Sequence, residues 1–358
     1  IAHENMNIYA YISIFDVVMK LLIVFLIQIT PVDKLLSYGF LILLVQIMDF
    51  LIYRCYCVRK YVESHLMLFF DMSLFKELAS YFGWSIFGNL AMVFNTQGIN
   101  LLLNVFFGPA VNAARGVAVQ VQNIINQFVG NFQVALNPQI VKTYANKEME
   151  RMHQLMFASA KYGFLLLFLL SLPVMIEAKY ILQLWLGIVP DHTVNFLRII
   201  LVSCMVNSLA NSSTVAAGAT GKIKAYSIAV GGTVLLPLPI AYIMLKVVLF
   251  PEVVFCVVLT FEVLALYLRL LFMKKMVSMS VKKYVCQVIF PALAVVVCSL
   301  IPPMLLHIYL PQSLINVIVV IILCFVMTLC SIYLVGLKKN EKIFIVKVVK
   351  NKVLHHLK

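Results

Sequence analysis

Residues 313–335, SLINVIVVIILCFVMTLCSIYLV, contain no charged side chain and are almost entirely apolar. A helix of about 20 apolar residues crosses the hydrocarbon core of a bilayer, so this stretch predicts a transmembrane helix. Similar runs occur along the whole chain. Ten spans are predicted, at residues 8–29, 35–54, 81–107, 111–136, 156–176, 196–216, 225–245, 253–272, 286–306 and 313–335. The sequence therefore predicts an all-α polytopic membrane protein with about ten transmembrane helices.

The composition of the 358 residues agrees with this class. Hydrophobic residues make up 63% and charged residues 12%, with a mean hydropathy of +1.01, whereas soluble domains are roughly 45–50% apolar and about 25% charged. Eight cysteines are present, and only Cys55 and Cys57 are close neighbours. Their spacing fits neither a metal site nor a redox motif, so we interpret the cysteines as packing residues and predict no metal and no cofactor.

The net charge of +14 is explained by where the basic residues fall. Most of the 28 Lys and Arg residues lie in alternate connections and in the C-terminal tail, at residues 54–76, 142–161, 222–224, 269–283 and 338–358. Loops rich in Lys and Arg stay on the cytoplasmic side of a membrane, so the pattern predicts a multi-pass protein with a cytoplasmic C-terminus. The charge then serves topology and attraction to anionic membrane lipids rather than binding of nucleic acid.

The connections between spans are short. Residues 61–80 and 142–161 mix charges with Leu, Met and Phe, which predicts helices lying in the membrane interface. The longest connection on the opposite side, residues 177–195, is too short for an extramembrane catalytic domain. The chain also lacks nucleophile and phosphate-loop motifs, and we therefore predict that it is not an enzyme.

The fourth span is unusually polar for a membrane helix. In residues 119–139, VQVQNIINQFVGNFQVALNPQ, nine of 21 residues are Asn or Gln. At about 100° per residue, the ten polar side chains between Asn112 and Asn137 all fall on one half of the helical wheel. A water-filled cavity accounts for so many amides better than hydrogen bonds between helices do, although such bonds remain the alternative.

Two further spans carry polar stripes. Ser85, Asn89, Thr96, Gln97, Asn100 and Asn104 share one face of the third span, and Ser203, Asn207, Asn211 and Thr214 share one face of the sixth. For the sixth span, hydrogen bonding between helices is the favoured interpretation. The predicted cavity-lining residues are Asn89, Gln97, Asn100, Asn104, Asn112, Arg115, Gln122, Asn123, Asn126, Gln127, Gln133, Asn207 and Asn211.

Charged residues inside spans are candidates for specific roles. Arg115, on the polar face of the fourth span, is suited to binding a phosphate, because guanidinium groups bind phosphate through paired hydrogen bonds. The alternatives are an arginine that reaches the outer interface or one that pairs with an acid. Asp16, Lys20, Asp49 and Glu262 are candidates for ion coupling, with structural ion pairs as the alternative.

Residues 81–145, YFGWSIFGNLAMVFNTQGINLLLNVFFGPAVNAARGVAVQVQNIINQFVGNFQVALNPQIVKTYA, resemble the core of bacterial oligosaccharide flippases. These transporters form the polysaccharide branch of the multidrug/oligosaccharidyl-lipid/polysaccharide exporter superfamily and act in lipopolysaccharide (O-antigen) biosynthesis. IAHENMNIYAYISIFDVVMKLLIVFLI (residues 1–27) is similar to the family's fifth helix. SLPVMIEAKYILQLWLGIVPDHTVNFLRI (residues 171–199) is similar to its ninth and tenth.

The resemblance implies a two-lobed fold of about fourteen helices, of the kind found in the family's multidrug exporters, with its first four helices missing here. It implies the end of the first lobe at 1–54, a cytoplasmic amphipathic linker at 55–80 and a six-helix second lobe at 81–272. Two additional helices would follow at 286–335, and a basic cytoplasmic tail at 336–358.

The function implied is transport. The family moves undecaprenyl-pyrophosphate-linked oligosaccharide from the cytoplasmic to the periplasmic leaflet of the bacterial inner membrane, by alternating access of its lobes. Polysaccharide polymerases and glycosyltransferases of the same pathway would be partners. The alternative is a multidrug/cation antiporter, for which carboxylates in the cavity are expected.

Overall fold

The structure, a computed structural model, describes residues 6–29, 33–64, 71–311, 313–338 and 341–342, and these contain helices and no β-strand. The α-helices are α1 (Met6–Ile29), α2 (Lys34–Lys60), α3 (Met72–Phe107), α4 (Pro109–Ala145), α5 (Met149–Ile176), α6 (Ala178–Leu186), α7 (Thr193–Ala219), α8 (Lys224–Leu235), α9 (Pro237–Val247), α10 (Glu252–Met276), α11 (Val281–Tyr284), α12 (Phe290–Tyr309) and α13 (Leu314–Ser331). Short 3₁₀ or π turns occupy Val62–Ser64, Val285–Ile289 and Ile332–Gly336.

Nine helical segments of the described chain are long and apolar enough to cross a membrane. They correspond to every predicted span except the fourth, and the seventh is built from α8 and α9, which meet at Pro237. The fourth span is a continuous helix, α4, but its amides make it too polar to qualify by composition. The predicted fold class, an all-α polytopic membrane protein, is thus confirmed.

The predicted interfacial helix over residues 142–161 is wrong. These residues form the end of α4, a turn at 146–148 and the first turns of α5. Of the other predicted interfacial segment, residues 65–70 lie outside the described residues. On either side of them, α2 continues to Lys60 and α3 begins at Met72. Asp71 accepts hydrogen bonds from the backbone N–H and the hydroxyl of Ser73, both at 2.8 Å, which caps α3.

The chain divides into two compact units, residues 1–76 and 77–358, so the division falls within the predicted linker. In the first unit, α1 and α2 pack together as a hairpin. Asp33 caps α2 by accepting a hydrogen bond of 2.8 Å from the N–H of Leu35.

In the second unit, α5 and α7 form the centre, with buried residues around most of their circumference. Helices of this kind are expected in a bundle interior. α7 packs against α4, α5 and α10, and α12 and α13 pack against each other and against α5. Gly163 allows α4 to approach α5, because a methyl group at this position would overlap the amide of Gln133.

Contacts at the helix ends show which connections share an end of the second unit. At one end, His192 lies 2.7 Å from Glu252, and His307 lies 2.7 Å from Glu177. At the opposite end, His153 bonds to the carbonyl of Val277 at 2.9 Å. Lysine-rich connections thus meet at one end, and the connections poor in lysine meet at the other.

Candidate functional site

The polar half of α4 is divided between two environments. One flank packs inward and hydrogen-bonds to neighbouring helices, and it consists of Arg115, Gln122, Asn126 and Gln133. The other flank is exposed in the described chain, and it consists of Gln120, Asn123, Gln127 and Asn131. Bonds between helices are therefore present on the inward flank, while the cavity described below is lined by Arg115 and Gln122 of that flank and by Asn123 of the exposed one.

Arg115 belongs to the inward flank and is only 8% exposed. Its guanidinium donates hydrogen bonds to the side-chain oxygen of Asn100 and, at 3.3 Å, to the carbonyl of Thr96, both on α3. Its Nε has no hydrogen-bond partner, and no carboxylate in the described chain lies within ion-pair distance. Neutral acceptors thus hold the guanidinium in place without neutralising its charge.

A second group on this flank joins α4 to α7. Gln133 donates to the carbonyl of Ser208 at 3.1 Å and accepts from Asn211 at 2.5 Å. One turn or more away, the amides of Gln122 and Asn126 contact the sulfur of Cys204 at 3.0 and 3.5 Å. These bonds satisfy amides that would otherwise be buried without partners, so this part of the face stabilises the bundle.

The second unit contains a cavity of about 500 Å³. Its walls come from α3, α4, α7, α8 and α10, with Ile223 and Pro237 at the ends of helices. Among its polar wall residues are Ser85, Asn89, Asn95, Thr96, Arg115, Gln122, Asn123, Ser203, Asn207, Thr214, Tyr226, Ser227, Glu262 and Arg269. The cavity therefore combines neutral hydrogen-bonding groups with two guanidinium groups and one carboxylate.

The charged residues opposite Arg115 come from α10. Arg269 donates to the side-chain oxygen of Asn207 at 3.3 Å, and its Nε has no partner in the described chain. Glu262 interacts with Ser203 and Arg269, and its Oε2 atom is buried without a hydrogen bond. Glu262 and Arg269 are farther apart than an ion pair. With one carboxylate and two guanidinium groups in the cavity, at most one of the two arginine charges is balanced.

The predicted site residues fall into three groups. Asn89, Arg115, Gln122, Asn123, Asn207 and Glu262 line the cavity. Asn100, Asn126, Gln133 and Asn211 bond to neighbouring helices outside it. Gln97, Asn104, Asn112 and Gln127 do not line it either, and all but the partly buried Asn112 are exposed.

The other three charged candidates lie together in the first unit. Lys20 forms an ion pair of 2.7 Å with Asp16, one helical turn away on α1. Asp49 of α2 interacts with both of these residues. The structural ion pair that was the alternative interpretation for Asp16 and Lys20 is therefore present.

Two of the basic residues assigned to loops from the sequence lie within helices and face the interior of the second unit. Arg269 lines the cavity from α10. Lys161 is buried in α5 and bonds to Glu341 at 2.7 and 2.9 Å. Arg269 follows Glu262 by seven residues, two helical turns, which puts both on one helix face and made Arg269 the partner in the ion-pair alternative for Glu262.

The cavity wall also contains polar residues that the sequence reasoning did not select. They include Asn95, which lies off the polar stripe of the third span, Thr214 at the end of the stripe of the sixth, and Tyr226 and Ser227 of α8. Thr214 and Tyr226 hydrogen-bond to each other at 2.9 Å across α7 and α8. Among the described residues, no three His, Cys, Asp or Glu side chains are grouped as a metal site would require.

Comparisons with known proteins add no relative to this picture. No family model, no curated protein and no solved structure matches the chain.

Proposed function

We propose that this protein is a membrane flippase that moves undecaprenyl-pyrophosphate-linked oligosaccharide across the bacterial inner membrane. Movement would run from the cytoplasmic to the periplasmic leaflet, by alternating access, during assembly of lipopolysaccharide or another surface polysaccharide. The observation that carries the proposal is the Arg115 guanidinium, buried at a polar cavity and held, among the described residues, by neutral oxygens alone.

The charge in the cavity favours an anionic ligand. Arg115 and Arg269 contribute two positive charges, and Glu262 contributes one negative charge when ionised. A buried charge is costly unless a partner compensates for it. A pyrophosphate would supply that partner, and the planar guanidinium forms paired hydrogen bonds with phosphate oxygens.

The neutral residues of the cavity suit sugar hydroxyls. Asn and Gln side chains both donate and accept hydrogen bonds, so they bind hydroxyl groups of varied geometry with little selectivity. A volume of about 500 Å³ lies within the usual range for ligand pockets. It would hold the pyrophosphate and the first sugars, while the polyprenyl chain stays in lipid.

Glu262 is the one observation that favours the alternative, a multidrug/cation antiporter. A carboxylate in the cavity is what an organic cation would need. Arg269 is nearby and Arg115 shares the cavity, so a cation would be repelled by two arginines. We therefore rank the antiporter second.

The test of the proposal is the Arg115→Ala variant, expressed in cells that depend on the protein for surface polysaccharide. Loss of hydrogen bonds to a charged group costs about 1.5–3 kcal/mol, so transport should fall about ten- to a hundredfold. Lipid-linked oligosaccharide should accumulate on the cytoplasmic face, where it would be protected from an impermeant sugar-modifying probe added to spheroplasts.

Arg151→Ala is the matched control, because Arg151 is exposed and pairs with Glu148 on the surface. Both variants must reach the membrane in normal amounts. Normal surface polysaccharide in Arg115→Ala cells would remove this arginine from the mechanism. Pathway partners, a polysaccharide polymerase and glycosyltransferases, would consume and supply the transported lipid.

A further inference from the structure

A second, smaller cavity lies at the end of the second unit where the connections contain few lysines. It has a volume of about 240 Å³ and is bordered by the end of α5, the start of α6, the start of α7 and the end of α12. Four of its wall residues have acidic or basic side chains: Glu177, Lys179, Arg198 and His307. It shares no wall residue with the larger cavity.

Hydrogen bonds hold two of these groups in fixed positions. The Nε of Arg198 donates to the carbonyl of Met175 at 2.9 Å, which anchors the guanidinium at the end of α5. The Nδ1 of His307 lies 2.7 Å from the Oε1 of Glu177, which is only 2% exposed. The imidazole engages one oxygen of Glu177, and the other, Oε2, is buried without a hydrogen bond in the described residues. This carboxylate offsets one of the two cations, Lys179 and Arg198.

Positive charge therefore remains for a ligand. In the described residues, neither Lys179 nor Arg198 forms an ion pair, and the terminal nitrogens of Arg198 form no hydrogen bond. These nitrogens form a fork that matches two phosphate oxygens, and an ammonium group beside it would neutralise the remaining charge. The cavity is smaller than most sites for drug-sized ligands, which fits a single phosphate group.

Exposed apolar residues beside the cavity indicate where such a phosphate comes from. The short helix α6 provides Lys179 and Tyr180 to the cavity, buries Ala178 and Leu182 against the bundle, and exposes Leu184 at 74%. Trp185 and, just beyond the helix, Ile188 at 88% are exposed as well. Exposed Trp with Leu and Ile at the end of membrane helices is typical of the lipid headgroup region.

We infer that the cavity formed by Glu177, Lys179, Arg198 and His307 binds the phosphate group of a membrane phospholipid. The phosphate would lie between Arg198 and Lys179. The acyl chains would extend along the exposed apolar side of α6. Free inorganic phosphate has the same anionic chemistry and lacks the acyl chains, so the two sources can be separated experimentally.

The experiment measures lipid binding by the purified chain in detergent, using native mass spectrometry during titration with phosphatidylglycerol. Diacylglycerol, which has no phosphate, and inorganic phosphate are titrated in parallel. The wild-type chain should retain phosphatidylglycerol and bind diacylglycerol at least about tenfold more weakly. Inorganic phosphate should neither be retained nor raise the melting temperature at the same concentration.

Arg198→Gln should weaken phosphatidylglycerol binding about tenfold, and Lys179→Gln about fivefold. Lys179→Gln leaves the bond between Arg198 and Met175 intact, so it tests the site even where Arg198→Gln alters folding. Lys246→Gln is the matched control, because Lys246 is an exposed lysine at the end of α9 that stacks on Tyr242 outside the cavity.

The inference would be overturned if Lys179→Gln, Lys246→Gln and the wild-type chain bound phosphatidylglycerol equally. Equal binding of diacylglycerol would likewise contradict a phosphate site. Stabilisation by inorganic phosphate without retention of phosphatidylglycerol would identify a soluble anion site and refute the lipid assignment.

Discussion

At the residue scale, the inward flank of α4 shows how one helix reconciles amides with a membrane environment. Gln133 is 4% exposed and is bonded at both ends of its amide to α7. Gln127, only six residues earlier, is exposed on the other flank. The same residue type therefore bonds to a neighbouring helix at one position and is exposed at the other.

Gln133→Leu should destabilise the protein by about 1–2 kcal/mol, because Asn211 and the carbonyl of Ser208 lose their partner. Gln127→Leu, its matched control, should change stability by less than about 0.5 kcal/mol. Chemical denaturation in mixed micelles measures both. Equal effects of the two substitutions would contradict the division of the polar face.

Gly163→Ala tests the close approach of α4 and α5. The added methyl group would overlap the Gln133 side chain, and overpacking of this kind costs about 1–3 kcal/mol. Gly116→Ala in α4 is the control, because a methyl group there meets no atom within 4 Å. It should be neutral or slightly stabilising, since Ala favours helix more than Gly does. A neutral Gly163→Ala variant would show that the helices are farther apart.

The ion pair between Lys161 and Glu341 predicts a pH dependence. Burial alone would raise the pKa of Glu341, but hydrogen bonds from Lys161 and from the N–H of Lys338 outweigh it and lower the pKa. A lowered carboxyl pKa contributes stability above the unfolded value, near 4.5, and loses it as the pH falls through the folded value.

Attachment of residue 341 to α5 should therefore be intact at neutral pH and weaken below about pH 4.5. A fluorophore placed on a cysteine at Leu337 would report the release. In Glu341→Gln the attachment should be weak throughout, and the acid transition should disappear. An unchanged acid transition in that variant would assign it to another group.

At the element scale, we expect water to reach the polar half of α4 more readily than its apolar half. Asn123→Cys lies on the exposed flank and lines the cavity, so a water-soluble thiol reagent should label it rapidly. Phe128→Cys should resist labelling although Phe128 is 63% exposed. Phe128 belongs to the apolar half of the wheel, which would face lipid rather than water. Ile125→Cys should also resist, since Ile125 is buried.

These measurements need a background in which the exposed natural cysteines are replaced by Ser. Labelling is followed by mass shift in intact membranes. Equal labelling rates at Asn123→Cys and Phe128→Cys would mean that water reaches both halves of α4 equally, which would contradict a water-filled cavity.

The sequence predicted elements better than it predicted partners. Periodicity located α4 and its polar half correctly, because amphipathicity is a local property of one helix. Periodicity could not divide that half between Gln133 and Gln127, since the division depends on where α7 packs. Lys161 was assigned to a loop for the same reason, because Glu341 is distant in sequence and forms its pair only in the folded protein.

At the scale of the whole molecule, the second unit has two chemically different ends. One end is rich in lysine, and the other contains two histidine–carboxylate pairs and the small basic cavity. Between them lies the larger cavity, walled by five helices that include the least apolar one, α4. A polar cavity between two different ends of a membrane bundle supports the transport proposed above.

The most direct test of this account compares two substrates in proteoliposomes that contain the purified protein. One set is loaded with fluorescent undecaprenyl-pyrophosphate-linked oligosaccharide, and flipping is followed by quenching with an impermeant reagent. In the other set, uptake of an organic cation is measured under a proton or sodium gradient. We predict flipping that falls about ten- to a hundredfold in Arg115→Ala, with no cation uptake. Gradient-driven cation uptake that requires Glu262, without any flipping, would contradict the account.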